Sequence, residues 1–146
     1  MKPVHSVIFL PILVNLLFVS SVFGSDWVVY WSYNYGNVYS YDRVSIKHRT
    51  KNIVQVFGKM DYSYESKERE IQRRINDGVS TKGYDKLSHN VSLIEIDCKK
   101  RKVNYLLGIE YDTDGNILSK FSSERTKWFE IVPDTVMDTL REKVCK

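Results

Sequence analysis

Three residues in one short segment carry the side chains that nucleophilic hydrolysis uses. Asp85, Ser88 and His89 supply a carboxylate, a hydroxyl and an imidazole within five positions. A working triad needs a base that its acid orients and donors for the oxyanion, and that geometry is spatial rather than sequential. The segment precedes a predicted strand, so we expect an ordinary polar loop. The alternative is a small hydrolase that uses His89.

Asp112, Asp114 and Asn116 place oxygen atoms at alternate positions, as a calcium-binding loop does. That loop also needs a glycine at its sixth position and a glutamate at its twelfth. Here Gly115 stands in the wrong place and Ser123 occupies the twelfth position. The segment therefore predicts a hairpin turn, and neither a metal site nor a cofactor is expected.

Cys98 and Cys145 are the two cysteines of the chain. An even pair of cysteines in an exported domain favours a disulfide. A thiolate nucleophile and a metal site are the alternatives. If residues 1–24 are removed as a leader, His48 and His89 are the histidines that remain. Two cysteines far apart in sequence and these two histidines make a weak ligand set for a metal.

The densest basic run is the candidate partner-binding segment, and it consists of Lys99, Lys100, Arg101 and Lys102. A looser run consists of Arg43, Lys47, Arg49 and Lys51. Either run can attract anionic lipid, glycan or an acidic protein, although exposed turns are often charged without binding anything. Tryptophans and tyrosines between Trp27 and Tyr41 offer either contact area for a partner or packing within a sheet.

The first 24 residues predict a cleaved signal peptide. One cation, Lys2, precedes an apolar run from Val7 to Phe23, and small or tolerated residues precede Ser25. An uncleaved anchor and a buried helix are the alternatives, although Pro11 and Asn15 interrupt a stretch that is already short for a span. We expect an exported protein, located in the periplasm, at the outer surface or in the medium, with no stable membrane span after cleavage.

The remaining segment, 25–146, has the size of a single domain. The whole chain carries 22 basic and 18 acidic side chains, and loss of Lys2 leaves a net charge of about +3. Such a balance does not favour a nucleic-acid partner. The charged fraction of 27% together with a substantial apolar content also excludes wholesale disorder.

Alternating and aromatic-rich segments predict five or six strands. They are two strands between Asp26 and Lys47, one each at 53–60, 92–98 and 103–111, and a return strand at 117–121. The strand at 53–60 is expected to form a hairpin with 44–47. In the strand at 103–111, one face is expected to carry Val103, Tyr105, Leu107, Ile109 and Tyr111.

Two segments have helical periodicity. Acid-before-base pairs at i,i+4 between Glu65 and Asp77, followed by Gly78, predict a short surface helix. An apolar stripe after Pro133 predicts a terminal helix capped by Asp134 or Thr135. If this helix lies on the sheet, it can bring Cys145 to Cys98. The fold class is α+β: an antiparallel β-sheet of about five or six strands packed against a C-terminal α-helix, with a short inserted surface helix.

The chain resembles the surface-adhesin protein E family over nearly its whole mature length. The matching segments are Trp27, 41–46, 53–59, Gly83-Tyr84 leading into 93–98, the turn at 111–116, and 128–145 with its Ile131-Val132-Pro133-Asp134-Thr135 entry. The resemblance implies the fold above, a disulfide between Cys98 and Cys145, and no catalytic activity. The family takes its name from an adhesin that attaches bacteria to host extracellular-matrix and serum proteins.

These observations predict a non-enzymatic binding or adhesion-like module of the bacterial envelope. Its expected partner is a protein or an anionic polymer of the envelope or extracellular matrix, contacted through a sheet face or through turns. Besides the hydrolase, a structural subunit that assembles on itself through a strand edge is an alternative.

Overall fold

The computed structural model describes residues 24–34, 36–123 and 126–146, so the predicted leader lies outside the described residues except for Gly24. Within them, eight strands form one antiparallel sheet, accompanied by two α-helices. The strands are β1 (Trp27–Ser32), β2 (Val38–Asp42), β3 (Lys47–His48), β4 (Ile53–Asp61), β5 (Leu87–Asp97), β6 (Lys102–Asp112), β7 (Ile117–Ser122) and β8 (Phe129–Glu130). The helices are α1 (Tyr64–Asn76) and α2 (Val136–Val144).

The main path of the sheet runs β1-β2-β4-β5-β6-β7, which confirms the predicted α+β class with its antiparallel sheet and two helices. Two further strands were not predicted: β3 pairs with β4, and β8 pairs with β6. Each is two residues long, which is too short for an alternating pattern to appear in the sequence.

The predicted hairpin partner of β4 is partly wrong. Val44 lies in a 3-10 turn, Arg43–Ser45, and of the predicted partner segment 44–47 only Lys47, the first residue of β3, pairs with β4. The Asp42 side chain accepts a hydrogen bond from the Val44 backbone N–H, and Ser45 Oγ donates to the Asp42 carbonyl. These local bonds offer the backbone an alternative to strand pairing.

Strand β5 begins five residues earlier than predicted. Its pairing with β4 and β6 extends back through Ser92 to His89, and Leu87 pairs with Asp112. The expectation of a polar loop at Ser88 and His89 is therefore wrong. Two long neighbouring strands satisfy the backbone of this polar stretch, which outweighs its low strand propensity.

A β-bulge in β6 overturns the predicted single face of that strand. Ile94 pairs with Tyr105 whereas the preceding Leu93 pairs with Leu107, so Leu106 is an extra residue. An extra residue reverses the alternation of all that follows. Residues before the bulge therefore face one side of the sheet and residues after it face the other. The second group is Leu107, Ile109 and Tyr111.

Both helices lie on the same side of the sheet, here called the covered face. Helix α2 contributes Leu140 and Val144 to the core, which they share with Val56 and Ile94 of the central strands. Val54, Ile96, Val103 and Ile131 complete the same buried cluster together with Tyr41. At about 25 cal/mol per Å² of apolar surface removed from water, this burial is the main source of stability.

Helix α1 agrees with its predicted span to within one residue at each end, and Ser63, which was not predicted, caps it. The Ser63 side chain accepts from the Ser66 backbone N–H, and Gly78 follows the helix with φ of 67°. No residue of α1 is buried. The neighbouring Tyr62 and Tyr84 hydroxyls donate to the two carboxylate oxygens of Glu110, at 3.0 and 2.6 Å. Glu110 pairs with Asn90, which pairs with Met60, so this contact also lies on the covered face.

Helix α2 begins after Thr135, whose side chain accepts from the Asp138 backbone N–H. It ends at Val144, and the next residue, Cys145, forms a disulfide with Cys98 at the end of β5. The two Cα atoms are 5.7 Å apart. The bridge fixes the last turn of the helix against the turn that joins β5 to β6.

Candidate binding surfaces

The candidate basic segment forms the turn between β5 and β6. The Asp97 carboxylate accepts hydrogen bonds from the backbone N–H groups of Lys99 and Lys100, at 3.1 and 2.9 Å. Arg101 then adopts the left-handed region with φ of 54°. The turn is thus held by hydrogen bonds to its backbone. The side chains of Lys99 and Lys100 are exposed and take no part in these bonds.

Two of the four basic side chains are already paired inside the molecule. The Arg101 guanidinium lies 2.9 Å from Asp138 of α2, and Lys102 Nζ lies 3.0 Å from Glu130 of β8. Within the described residues, the ammonium groups of Lys99 and Lys100 have no ion-pair partner. The sequence singled out the run correctly as a surface feature but gave no sign of this division.

Asp138 is the acceptor that ties the turn to the helix. Its carboxylate also accepts from Arg141 Nε at 2.9 Å and from the Asp134 backbone N–H at 3.3 Å. The hydrogen bond from Arg141 is the largest influence that holds the pKa of Asp138 below its usual value. Sequence spacing revealed only the i,i+3 relation of Asp138 and Arg141; the Arg101 contact spans 37 positions.

The second basic run lies beside the first. The Cys98 backbone N–H donates to the Asn52 carbonyl at 2.8 Å, and Ile53 pairs with Asp97, so the turn at 49–52 adjoins the turn at 98–101. The disulfide brings the end of α2 to the same place. We call this the basic end; its exposed cations without an ion pair in the described residues are Lys47, Arg49, Lys51, Lys99, Lys100, Lys143 and Lys146. Arg43 is not among them, because it pairs with Asp26 at 2.6 Å.

The side of the sheet opposite the helices is an open face. No helix of the described residues covers it. Its apolar side chains are only partly buried and include Phe57, Val91, Leu93, Leu107 and Ile109. Lys59 lies on this side over the Trp27 ring, 5.5 Å from its centroid. An uncovered apolar patch of this kind is commonly an interaction site.

His89 lies on the open face, where it pairs with Asp61 of β4 and with Tyr111 of β6. Its ring stacks on Tyr111 with centroids 5.0 Å apart, and Ser88 Oγ is 3.1 Å from its Nδ1. Burial lowers the pKa of His89. Asp85 lies in a separate 3-10 turn, where its carbonyl accepts from Lys67 Nζ. The structure therefore brings Ser88 and His89 together but places Asp85 in a different element.

The segment at 112–116 is a hairpin turn, as predicted. The Asp112 carboxylate accepts from the backbone N–H groups of Asp114 and Asn116 and from the Asn116 side chain, which lowers its pKa. Gly115 supplies the positive φ of 83° that the turn requires. In the part of the chain that the structure describes, no cluster of three or more His, Cys, Asp or Glu side chains could hold a metal ion.

The aromatic residues of the first third divide between packing and exposure. Tyr41 is buried in the core, and the Tyr30 ring lies 6.0 Å from it. Tyr33 is 53% exposed at the other end of the same group of rings. Tyr35 lies outside the described residues. Packing within the sheet is therefore confirmed for Tyr41, while a contact role for the exposed rings stays a prediction.

Comparison with known proteins finds one protein family whose model matches most of this chain. A family model described as surface-adhesin protein E matches residues 27–146, and no curated protein matches. Among solved structures, the selenomethionine form of Haemophilus influenzae protein E is 14% identical, over 73% of this chain and 78% of that one, with a TM-score of 0.46. Its crystal form II is 14% identical over 73% and 79%, with a TM-score of 0.47. Within the described residues, neither helix is long and apolar enough to cross a membrane.

Proposed function

Because the chain belongs to the surface-adhesin protein E family, we propose that it is an exported, non-enzymatic, adhesion-like binding module of the bacterial envelope. Its partner is a protein or an anionic polymer of the envelope or of the extracellular matrix. Residues 1–24 act as a signal peptide, and 25–146 form the single binding domain. The final location is the periplasm, the outer surface or the medium.

The convergence of two basic segments at the basic end carries this proposal. Lys51 and Lys99 belong to turns that are far apart in sequence, yet hydrogen bonding between Cys98 and Asn52 holds those turns side by side. Apart from Arg101, which pairs with Asp138, the cations in these turns have no ion-pair partners in the described residues, so their field is available to an anionic surface. Clustered charge of one sign raises association rates and favours partners of the opposite sign.

A matched pair of charge reversals tests the role of the basic end. We expect Lys99→Glu/Lys100→Glu to lose most of its retention on immobilised heparin and to capture fewer envelope or matrix proteins after crosslinking. The control is Lys82→Glu/Lys120→Glu, which changes the net charge equally at two exposed lysines elsewhere on the molecule. Equal retention of the two variants would contradict the proposal, since it would show that only net charge matters.

The open face favours a second candidate function, a subunit that assembles on itself. A face carrying Phe57 and Leu93 in a partly exposed state can bury apolar area against a second copy. Sedimentation over a wide concentration range tests this candidate. We expect the mass of the unaltered protein to rise with concentration, and Leu93→Lys to keep the mass of the monomer. If the unaltered protein is a monomer at all concentrations, self-assembly is excluded.

A further inference from the structure

A small cavity of about 230 Å³ opens on the covered face, between the start of α2 and the middle of the sheet. Its walls come from six elements: β1, β2, β4, β5, β6 and α2. The lining side chains are Tyr30, Tyr39, Met60, Asn90, Ser92, Ile94, Tyr105, Val136 and Met137, and Gly58 contributes backbone. An apolar cavity of about 150 Å³ is already large enough for a benzene molecule. This one is sized for a single ring with a substituent.

The walls are mostly apolar. Tyrosine rings and methionine thioethers meet here, and methionine sulfur interacts favourably with aromatic rings. The lining includes no carboxylate. Lys59 adjoins the cavity, but its ammonium group lies near Asp61 and the Trp27 ring on the open face. A neutral ligand is therefore favoured over an ion.

Two hydroxyls in this cavity have no protein partner. Neither Tyr30 nor Tyr105 forms a hydrogen bond within the described residues, although burial raises the pKa of both. The Asn90 side chain accepts from Ser92 Oγ at 2.7 Å, and its amide N–H groups are without an acceptor in the described part of the chain. These polar atoms keep some contact with water, since Trp31 Nε1 is the only fully buried side-chain atom without a partner among the described residues. A ligand that displaces this water must replace its hydrogen bonds or lose free energy. A ligand with one polar atom would satisfy them.

We propose that this cavity binds one neutral aromatic ring that carries a hydroxyl group, the chemistry of a phenol. The ring packs between Tyr105 and Met137, and its hydroxyl exchanges hydrogen bonds with the tyrosine hydroxyls and the Asn90 amide. The same chemistry is available from a free phenolic compound or from a tyrosine side chain of a protein partner. The site is independent of the basic end.

Titration of the isotope-labelled protein with p-cresol, followed by amide chemical shifts, tests the proposal. We expect saturable shifts at Gly58, Ile94 and Met137 with a Kd of about 1 mM, as suits a ligand of this size. Toluene has the same ring without the hydroxyl, so we expect it to bind at least about fivefold more weakly. Shifts that do not saturate, or toluene binding equal to that of p-cresol, would overturn the proposal.

Variants locate the site and separate the sources of the ligand. We expect Ser92→Leu to fill the cavity and abolish p-cresol binding, while Ser122→Leu, the same change at the exposed end of β7, leaves it intact. If Ser92→Leu fails to fold, Met137→Phe fills the space from the helix. Tyr30→Phe/Tyr105→Phe should remove the preference for p-cresol over toluene.

A second ligand separates the two sources. Binding of N-acetyl-tyrosinamide as well as p-cresol assigns a tyrosine side chain of a protein partner; p-cresol binding alone assigns a free phenol. If Ser92→Leu and Met137→Phe both still bind p-cresol, the proposed site is wrong.

Discussion

At the residue scale, Asp138 determines how much of the basic turn is free to meet a partner. It is 6% exposed and accepts hydrogen bonds from guanidinium groups on two elements, Arg101 in the turn and Arg141 in its own helix. A buried carboxylate needs such partners to offset its lost hydration. Arg101 is therefore part of the structure, and of the residues of this turn only Lys99 and Lys100 are left for the binding that we propose.

Replacing Asp138 by asparagine tests this role through pH. Because the folded state lowers the pKa of Asp138, its charged form stabilises the protein above the usual pKa near 4, and this contribution disappears as pH falls through the lowered value. We expect Asp138→Asn to unfold at lower urea than the unaltered protein at pH 7, with the difference narrowing below about pH 4. Glu68→Gln, at an exposed position without an ion pair, should show no such difference.

The stability at high pH should depend on Tyr84, as the stability at low pH depends on Asp138. It is 1% exposed and donates to Glu110 at 2.6 Å. Burial and the bond to Glu110 raise the pKa of Tyr84 to about 12. We expect Tyr84→Phe to lower the free energy of unfolding by about 1–3 kcal/mol at pH 7, because it removes a hydrogen bond to a charged group.

The pH dependence follows from the raised pKa. Tyr84 contributes its stability fully below the usual tyrosine pKa near 10, and the contribution is lost as pH rises towards about 12. The difference in the free energy of unfolding between the unaltered protein and Tyr84→Phe should therefore close between about pH 10 and about pH 12. Tyr64→Phe is the control, since Tyr64 is 71% exposed. A difference that persists unchanged at high pH would show that the pKa of Tyr84 is not raised in the folded protein.

At the scale of elements, the sequence predicted the strands with strong alternation and both helices. The run of β-branched residues Ile53, Val54 and Val56 favours a strand, and Thr135 is a standard helix cap, so local chemistry suffices there. The bulge at Leu106 could not be predicted, because only pairing with β5 defines it. It also explains why the open face was missed: it transfers Leu107 and Ile109 away from the helices.

The disulfide between Cys98 and Cys145 joins α2 to the sheet and closes a loop of 47 residues. Chain-entropy arguments give such a loop about 4 kcal/mol of stabilisation. We expect Cys98→Ser/Cys145→Ser to lower the free energy of unfolding in urea by that amount. Reduction of the disulfide in the unaltered protein should have the same effect. Equal stability with and without the bridge would indicate that the core packing of Leu140 and Val144 alone secures the helix.

At the scale of the whole molecule, charge is distributed unevenly although its total is small. The sequence contained both basic runs but not their proximity, which depends on the antiparallel pairing of β4 with β5. The cavity on the covered face was equally hidden, since its lining is drawn from 30–137. Sites assembled from distant strands become visible only in three dimensions.

Ionic strength distinguishes the two proposed modes of binding. Raising salt from about 0.1 M to about 1 M shortens the screening length from about 10 Å to about 3 Å. We expect retention on heparin to be lost over this range, while the Kd for p-cresol, a neutral ligand, stays nearly constant. Heparin retention that survives 1 M salt would show that contacts other than the charges of the basic end hold the polymer.

The aromatic side chains of β1 and β2 have a consequence for spectroscopy. Rings of Trp31, Tyr33, Tyr39, Tyr30 and Tyr41 follow one another at centroid distances of 5.9–6.4 Å with tilted planes. Chromophores this close and this rigidly oriented couple their electronic transitions, so the folded protein should have an intense near-ultraviolet circular dichroism. That signal would report directly on the order of this sheet edge, without any attached dye.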